Sequence, residues 1–156
     1  MQPLPYTHSC FVCGEANPIG LRLKFETDGR LVRAQFCPRP EHIGFRHTVH
    51  GGILATLLDE IMVWACAVPT RRFAYCAEFN IRYLKPARPL ETIIATAELT
   101  ANRRNKLFEA RGELRDAQDT VLATATGKYL PIPEADVSEM LADLIGDTKP
   151  FRVKLD

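Results

Sequence analysis

Two carboxylates stand where the chain should exclude them. Asp59 and Glu60 fall within Gly52–Val68, the most apolar window of the sequence. Ile53, Leu54, Leu57, Leu58, Ile61, Met62, Ala65 and Val68 recur at helical spacing, and Val63, Trp64 and Cys66 add apolar bulk off that stripe. The pattern predicts a buried helix that ends at Pro69. A buried helix normally excludes charge, because desolvating an unpaired carboxylate is expensive. Two readings stand: the acids emerge at an exposed edge or pair with a strand arginine, or one of them does acid–base work. The two residues point about 100° apart on a helix, so only one can face a given substrate.

His50-Gly51-Gly52 opens the same helix. Glycines allow close approach to the backbone, and the first N–H groups of a helix lack internal acceptors and carry its positive dipole end. Such a terminus stabilises an oxyanion; a plain tight turn is the alternative. Eight residues separate Gly51 from Asp59, about 12 Å along a helix. One carbonyl cannot reach both groups of one helix. If both act on one substrate they come from two chains, so the catalytic reading requires a dimer with antiparallel helices.

The other constellations are weaker. Cys10-x-x-Cys13 is half of a zinc knuckle with His8 nearby, but no second pair follows among Cys37, Cys66 and Cys76. The expectation is that these thiols pack the opening segment and bind no metal. His42, His47 and His50 read as loop histidines near a pocket. Arg82, Lys85, Arg88, Arg103 and Arg104 cluster near predicted strand ends, either as solvated edge charge or as a rim for phosphates. Trp64, Phe45 and Phe73 are candidates to line an apolar pocket.

The elements that must position these groups follow from period and punctuation. Leu21–Glu26 and Arg30–Cys37 read as strands around Asp28-Gly29. After the helix come Phe73–Leu84, Glu91–Thr100, Lys106–Arg115 and Thr120–Leu130, then a closing helix over Asp136–Ile145 and a tail alternating at Phe151, Val153 and Leu155. This order predicts an α+β fold, an antiparallel sheet around one central helix. The 156 residues suit a single domain over 1–156, with 1–20 irregular and 134–156 a helix and tail. Lys and Arg total 20 against 19 Asp and Glu, a net charge of +1, which argues against nucleic acid or an anionic membrane as a bulk partner. The opening residues do not read as a leader, and five cysteines without one suggest a reduced, cytoplasmic protein.

His50-Gly51-Gly52-Ile53-Leu54-Ala55-Thr56-Leu57-Leu58-Asp59-Glu60 resembles the HGG-x6-D/E signature of hotdog-fold thioesterases of the PaaI-like and 4-hydroxybenzoyl-CoA type. Asn80-Ile81-Arg82-Tyr83-Leu84-Lys85-Pro86 resembles the strand that follows it. Cys10-Phe11-Val12-Cys13-Gly14 with Asn17-Pro18-Ile19-Gly20-Leu21 resembles the opening of a bacterial subgroup. The resemblance covers roughly residues 8–131. It implies a hotdog fold, obligate pairing with shared sites, and hydrolysis of an acyl-CoA without a cofactor. Asp59 would be general base or nucleophile, Gly51 N–H would polarise the carbonyl, and His50 would shape the loop. Gly52 and the five cations would contact CoA. Cys76 falls, after a one-residue adjustment, where relatives carry a Ser or Thr that holds water. Where several relatives place Asn or Gln, six residues before the histidine, this chain has Gly44; His42 or His47 would then supply the polar group. Glu60 competes with Asp59. The alternative function is a non-catalytic acyl-CoA-binding or sensing protein; a hydratase is a third reading. A dimer of dimers and acyl-carrier protein as carrier stay open.

Overall fold

The computed structural model describes residues 1–151. Its strands are β1 (Gln2–Pro3), β2 (Tyr6–Thr7), β3 (Phe25–Thr27), β4 (Leu31–Phe36), β5 (Ala74–Tyr83), β6 (Ile93–Arg103), β7 (Leu107–Asp116), β8 (Val121–Pro131) and β9 (Leu144–Ile145). The α-helices are α1 (Gly51–Thr70) and α2 (Glu134–Ala142). Seven strands form one antiparallel sheet in the order β1-β3-β4-β6-β7-β8-β5, and β2 pairs with β9 separately. This is the hotdog arrangement, a long helix laid across a large antiparallel sheet.

The helix fits against the sheet because the sheet floor is built from small residues. One cross-strand row runs Val32–Ala97–Gly112–Ala125–Ile81, and the next ladder rung but one runs Ala34–Ala95–Leu114–Ala123–Tyr83. Large residues come from the helix instead: Leu57, Leu58, Ile61 and Met62 are fully buried against β4 to β8. Close packing of this kind is how an interior reaches crystal-like density. The length and apolar composition of α1 would also suit a membrane span, but here its apolar side lies on the sheet.

Burial of α1 is not uniform. Ala55, Thr56, Asp59 and Val63 are only half-buried and Gly52 is exposed. They form one stripe on the side turned from the sheet.

Several boundaries differ from the expectation. Pro69 lies inside the last turn of α1, which continues to Thr70. The Thr70 hydroxyl donates to Cys66 O at 2.7 Å and Arg71, at φ 57°, donates its N–H to Ala67 O, so the terminal carbonyls are satisfied past the proline. Leu21–Lys24 does not join the sheet as strand; Leu21 and Leu23 donate their N–H groups to Phe11 O and Val12 O. The loop carrying Cys10 and Cys13 occupies the place of a neighbouring strand. The closing helix stops at Ala142, and Leu144–Ile145 pairs with Tyr6–Thr7. Of the tail alternation, Phe151 is buried; Val153 and Leu155 lie outside the described residues.

Candidate active site

At the start of α1, His50 is the N-cap. Its Nδ1 accepts the Gly52 N–H at 2.8 Å. This satisfies one of the orphan donors of the first turn and leaves the Gly51 N–H, which meets no acceptor among the described residues. His50 therefore shapes the terminus through its ring, as a cap. The Gly51 carbonyl accepts the Tyr83 hydroxyl at 2.8 Å. A Cβ on Gly51 would lie 3.2 Å from Tyr83 Cζ and Oη, so the glycine is what lets β5 lie this close to the helix terminus.

A cleft of about 590 Å³ opens here, lined by Phe45, Thr48, His50, Gly51, Leu54 and Tyr83 together with the Leu84–Ala87 turn. That volume is within the range of small-molecule sites. Lys85 is at its wall. His42 and His47 are not. His42 is buried, stacks on Phe36 at 5.6 Å and accepts the Arg39 N–H at Nδ1; His47 is exposed at φ 62°. Gly44 has a steric reason, since a Cβ there would come within 3.1 Å of His50 Cδ2.

Asp59 lies two turns further along α1, on the half-exposed stripe. Tyr129 donates its hydroxyl to Asp59 Oδ1 at 3.2 Å. Tyr129 is fully buried in β8, and its ring folds over Gly127, where any Cβ would sit 2.7 Å from Tyr129 Cε2. Cys76 pairs with Tyr129 across β5 and β8, and its thiol lies against the Asp59 carboxylate. Burial and the Asp59 charge push that thiol up to about 11, so it is protonated and able to donate. The register of β5 shifts between Cys76 and Glu78.

Glu60 points elsewhere. Its Oε1 lies 3.3 Å from Cys13 Sγ and 3.8 Å from Cys10 Sγ, and burial pushes its carboxyl up to about 7. The strand arginine expected as its partner is not there among the described residues. The two acids are thus separated: Asp59 toward the open stripe, Glu60 into the opening segment. Trp64 and Phe73 are also placed away from the cleft. Trp64 packs on Phe25, Phe73 and Phe151 with ring centroids 6.0, 5.1 and 5.8 Å away. Of the three aromatic candidates, Phe45 alone lines the cleft.

The five cations do not form one rim within a chain. Lys85 borders the cleft and Arg88 follows Ala87 in the same loop. Arg82 faces the outer side of the sheet with Glu98 and Arg111. Arg103 ends β6 and Arg104 stands in the β6–β7 turn, beside Asn105, whose carbonyl accepts from Arg72, just past the far end of α1. That end is about 30 Å from Gly51 along the helix axis. Arg103 is moreover paired with Glu109. Tyr83 and Tyr129 are the site residues that sequence reasoning missed. The available signal for Tyr129 was Gly127, two positions earlier on the same strand face.

Residues 47–123 match the family model described as the thioesterase superfamily, a segment that carries most of the cleft lining, α1, Asp59 and Cys76. Together with the hotdog fold, the match makes this chain similar to that superfamily over just under half of its length. The thioesterase superfamily protein RHA08564 superposes with a TM-score of 0.74 at 25% identity, over 80% of this chain and 64% of that one; this chain therefore spans less than two thirds of its length. The Escherichia coli PaaI protein of the phenylacetic acid degradation operon gives 0.66 at 21% identity, over 72% and 81% of the two chains. The smu.793 protein of Streptococcus mutans, solved bound to acetyl-CoA, gives 0.65 at 17%, over 70% and 88%. No curated protein matches the sequence.

Proposed function

We propose that this chain is an acyl-CoA thioesterase acting as a homodimer, with each site shared between two chains. The observation that carries the reading is the placement of two complementary groups on one rigid helix: an unpaired Gly51 N–H facing a cleft, and an oriented Asp59 carboxylate eight residues on. The half-exposed stripe of α1 is the face a partner helix would cover. An antiparallel partner would bring its Gly51 toward this chain's Asp59. The acetyl-CoA held by the Streptococcus mutans relative supports the ligand class, and Lys85 provides a cation beside the cleft for the CoA phosphates.

In this mechanism Asp59 Oδ1 is occupied by the Tyr129 hydroxyl, and the second carboxylate oxygen takes a proton from water as it attacks the thioester carbonyl. Charge develops on the carbonyl oxygen, where the partner's Gly51 N–H and helix terminus stabilise it. The tetrahedral intermediate collapses, the C–S bond breaks, and the proton held by Asp59 goes to the departing thiolate. The chain operates in the cytoplasm as one domain.

The test is thiol release from short, long and aromatic acyl-CoAs by the parent and by Asp59→Asn. General-base catalysis is worth about 10²–10⁴-fold, so kcat should fall by at least about 100-fold in the variant with its dimer intact. Saturable CoA-ester binding without turnover in the parent would instead make it a binding protein. Equal turnover in both proteins would remove Asp59 from the mechanism.

A further inference from the structure

We propose that the Cys10 and Cys13 thiolates and the Glu60 carboxylate form a zinc site that fastens the opening segment to the central helix. The three ligand atoms lie within 4.8 Å of one another. Around a tetrahedral zinc ion, sulfur at about 2.3 Å and oxygen at about 2.0 Å stand roughly 3.5–3.8 Å apart. The Glu60 Oε1 contacts of 3.3 Å to Cys13 Sγ and 3.8 Å to Cys10 Sγ straddle that spacing. A small adjustment would admit the ion.

The loop is shaped to aim both sulfurs at one point. Val12 donates its N–H to Cys10 Sγ at 3.2 Å, and Gly14 donates its N–H to Cys10 O at 2.9 Å. The second bond closes a turn so tight that a Cβ on Gly14 would lie 2.2 Å from Cys10 O. Thr7 accepts the Cys10 N–H and contacts Cys13 Sγ at 3.4 Å, which orients the thiols from the other side. His8 is exposed and stands outside the cluster.

The chemistry selects the ion. Two thiolates favour zinc over magnesium or calcium, which prefer oxygen. Glu60 sits beside Asp59 on a largely apolar helix, without an arginine or lysine bridging it among the described residues. Buried carboxylates are paired or coordinate metals, and thiols are weak donors. Three protein ligands leave the fourth position to water. The cross-link would span 47 positions, from Cys13 to Glu60, and hold a segment that has little regular secondary structure. The role is structural, independent of the catalytic reading.

The experiment uses the full chain, purified under reducing conditions, stripped of metal with a chelator and titrated with Co²⁺ and then Zn²⁺. The expected result is one Co²⁺ per chain with an intense sulfur-to-cobalt charge-transfer band and tetrahedral d–d absorption, displaced by one Zn²⁺. Losing a ligand should weaken zinc by more than the roughly 10–100-fold typical of outer-shell changes, so Cys13→Ser and Glu60→Gln should each do so. Cys37→Ser, which removes an exposed thiol outside the cluster, should not. Alkylation mapped by mass spectrometry gives a second readout in the unmutated protein, with zinc protecting Cys10 and Cys13. Absence of the cobalt band overturns the proposal. So does a band that survives either ligand substitution, or alkylation of the two cysteines that is the same with and without zinc.

Discussion

Gly51→Ala is the substitution that probes the proposed oxyanion donor with the least damage elsewhere. The new methyl would sit 3.2 Å from Tyr83 Cζ and Oη and 3.4 Å from Cε1. Carbon contacts are favourable at about 3.5–4.0 Å, so Tyr83 and the first turn must separate by roughly 0.3–0.8 Å. The Tyr83 hydroxyl now sits 2.8 Å from Gly51 O. The same separation lengthens that bond to the limit of a hydrogen bond or past it. The lost bond costs about 0.5–1.5 kcal/mol, and replacing glycine by alanine returns up to about 0.5–1 kcal/mol of helix preference. Stability should therefore move by no more than about 1 kcal/mol, or roughly 2–4 °C in Tm for a chain of this size. Catalysis is affected more strongly. Removing an oxyanion donor outright costs about 10²–10³-fold in kcat, and a 1 Å misplacement can cost about 100-fold. A donor displaced by a fraction of that should cost roughly 10–100-fold, with KM little changed. Thiol release and thermal melting, run on the same preparations, separate the two effects. Adding Tyr83→Phe removes the Oη clash and should restore part of the rate. A Gly51→Ala protein with parental kcat would refute the assignment of this N–H.

Two further substitutions test neighbouring parts of the argument. Tyr129→Phe keeps the buried ring but removes the donor to Asp59 Oδ1, a bond of the charged kind worth about 1.5–3 kcal/mol; kcat should fall by roughly 10–100-fold in thiol release with substrate KM retained. His42 gives a pH dependence of stability: burial, and then the Arg39 charge, hold its pKa below the ordinary value, with Glu41 opposing. Its contribution is complete above the unfolded value of about 6.5 and is lost as pH falls through the lower folded value. Melts between pH 7 and pH 5 should show a loss of Tm that His42→Gln reduces.

How far the sequence could be read depended on range. α1 was legible because an apolar stripe of helical period announces itself within one segment, and Asp59 was conspicuous as a charge inside it. The strands after α1 were each legible from their turns, to within two or three residues at their ends. What escaped depends on register. Tyr129 reaches Asp59 across 70 positions, and its one local mark, Gly127 under its ring, does not say what its hydroxyl meets. Glu60 reads as an acid in search of an arginine until the fold brings Cys10 and Cys13 to it. The five cations looked alike because each stands near a strand end, but a hairpin reverses direction at every turn. Arg103 and Arg104 are therefore carried to the opposite end of the helix from Lys85. Pro69 was a correct stop signal applied one residue early, since Thr70 and Arg71 satisfy the carbonyls that a proline leaves open.

The separation of Gly51 and Asp59 on one helix has a genetic consequence. Under the proposed pairing, a chain damaged at Asp59 and a chain damaged at Gly51 are each impaired as homodimers, because every site then carries a lesion. A mixed dimer distributes the defects unequally: one of its sites carries both lesions and the other carries neither. Two defective alleles in one cell would complement each other, although neither encodes a fully working enzyme alone.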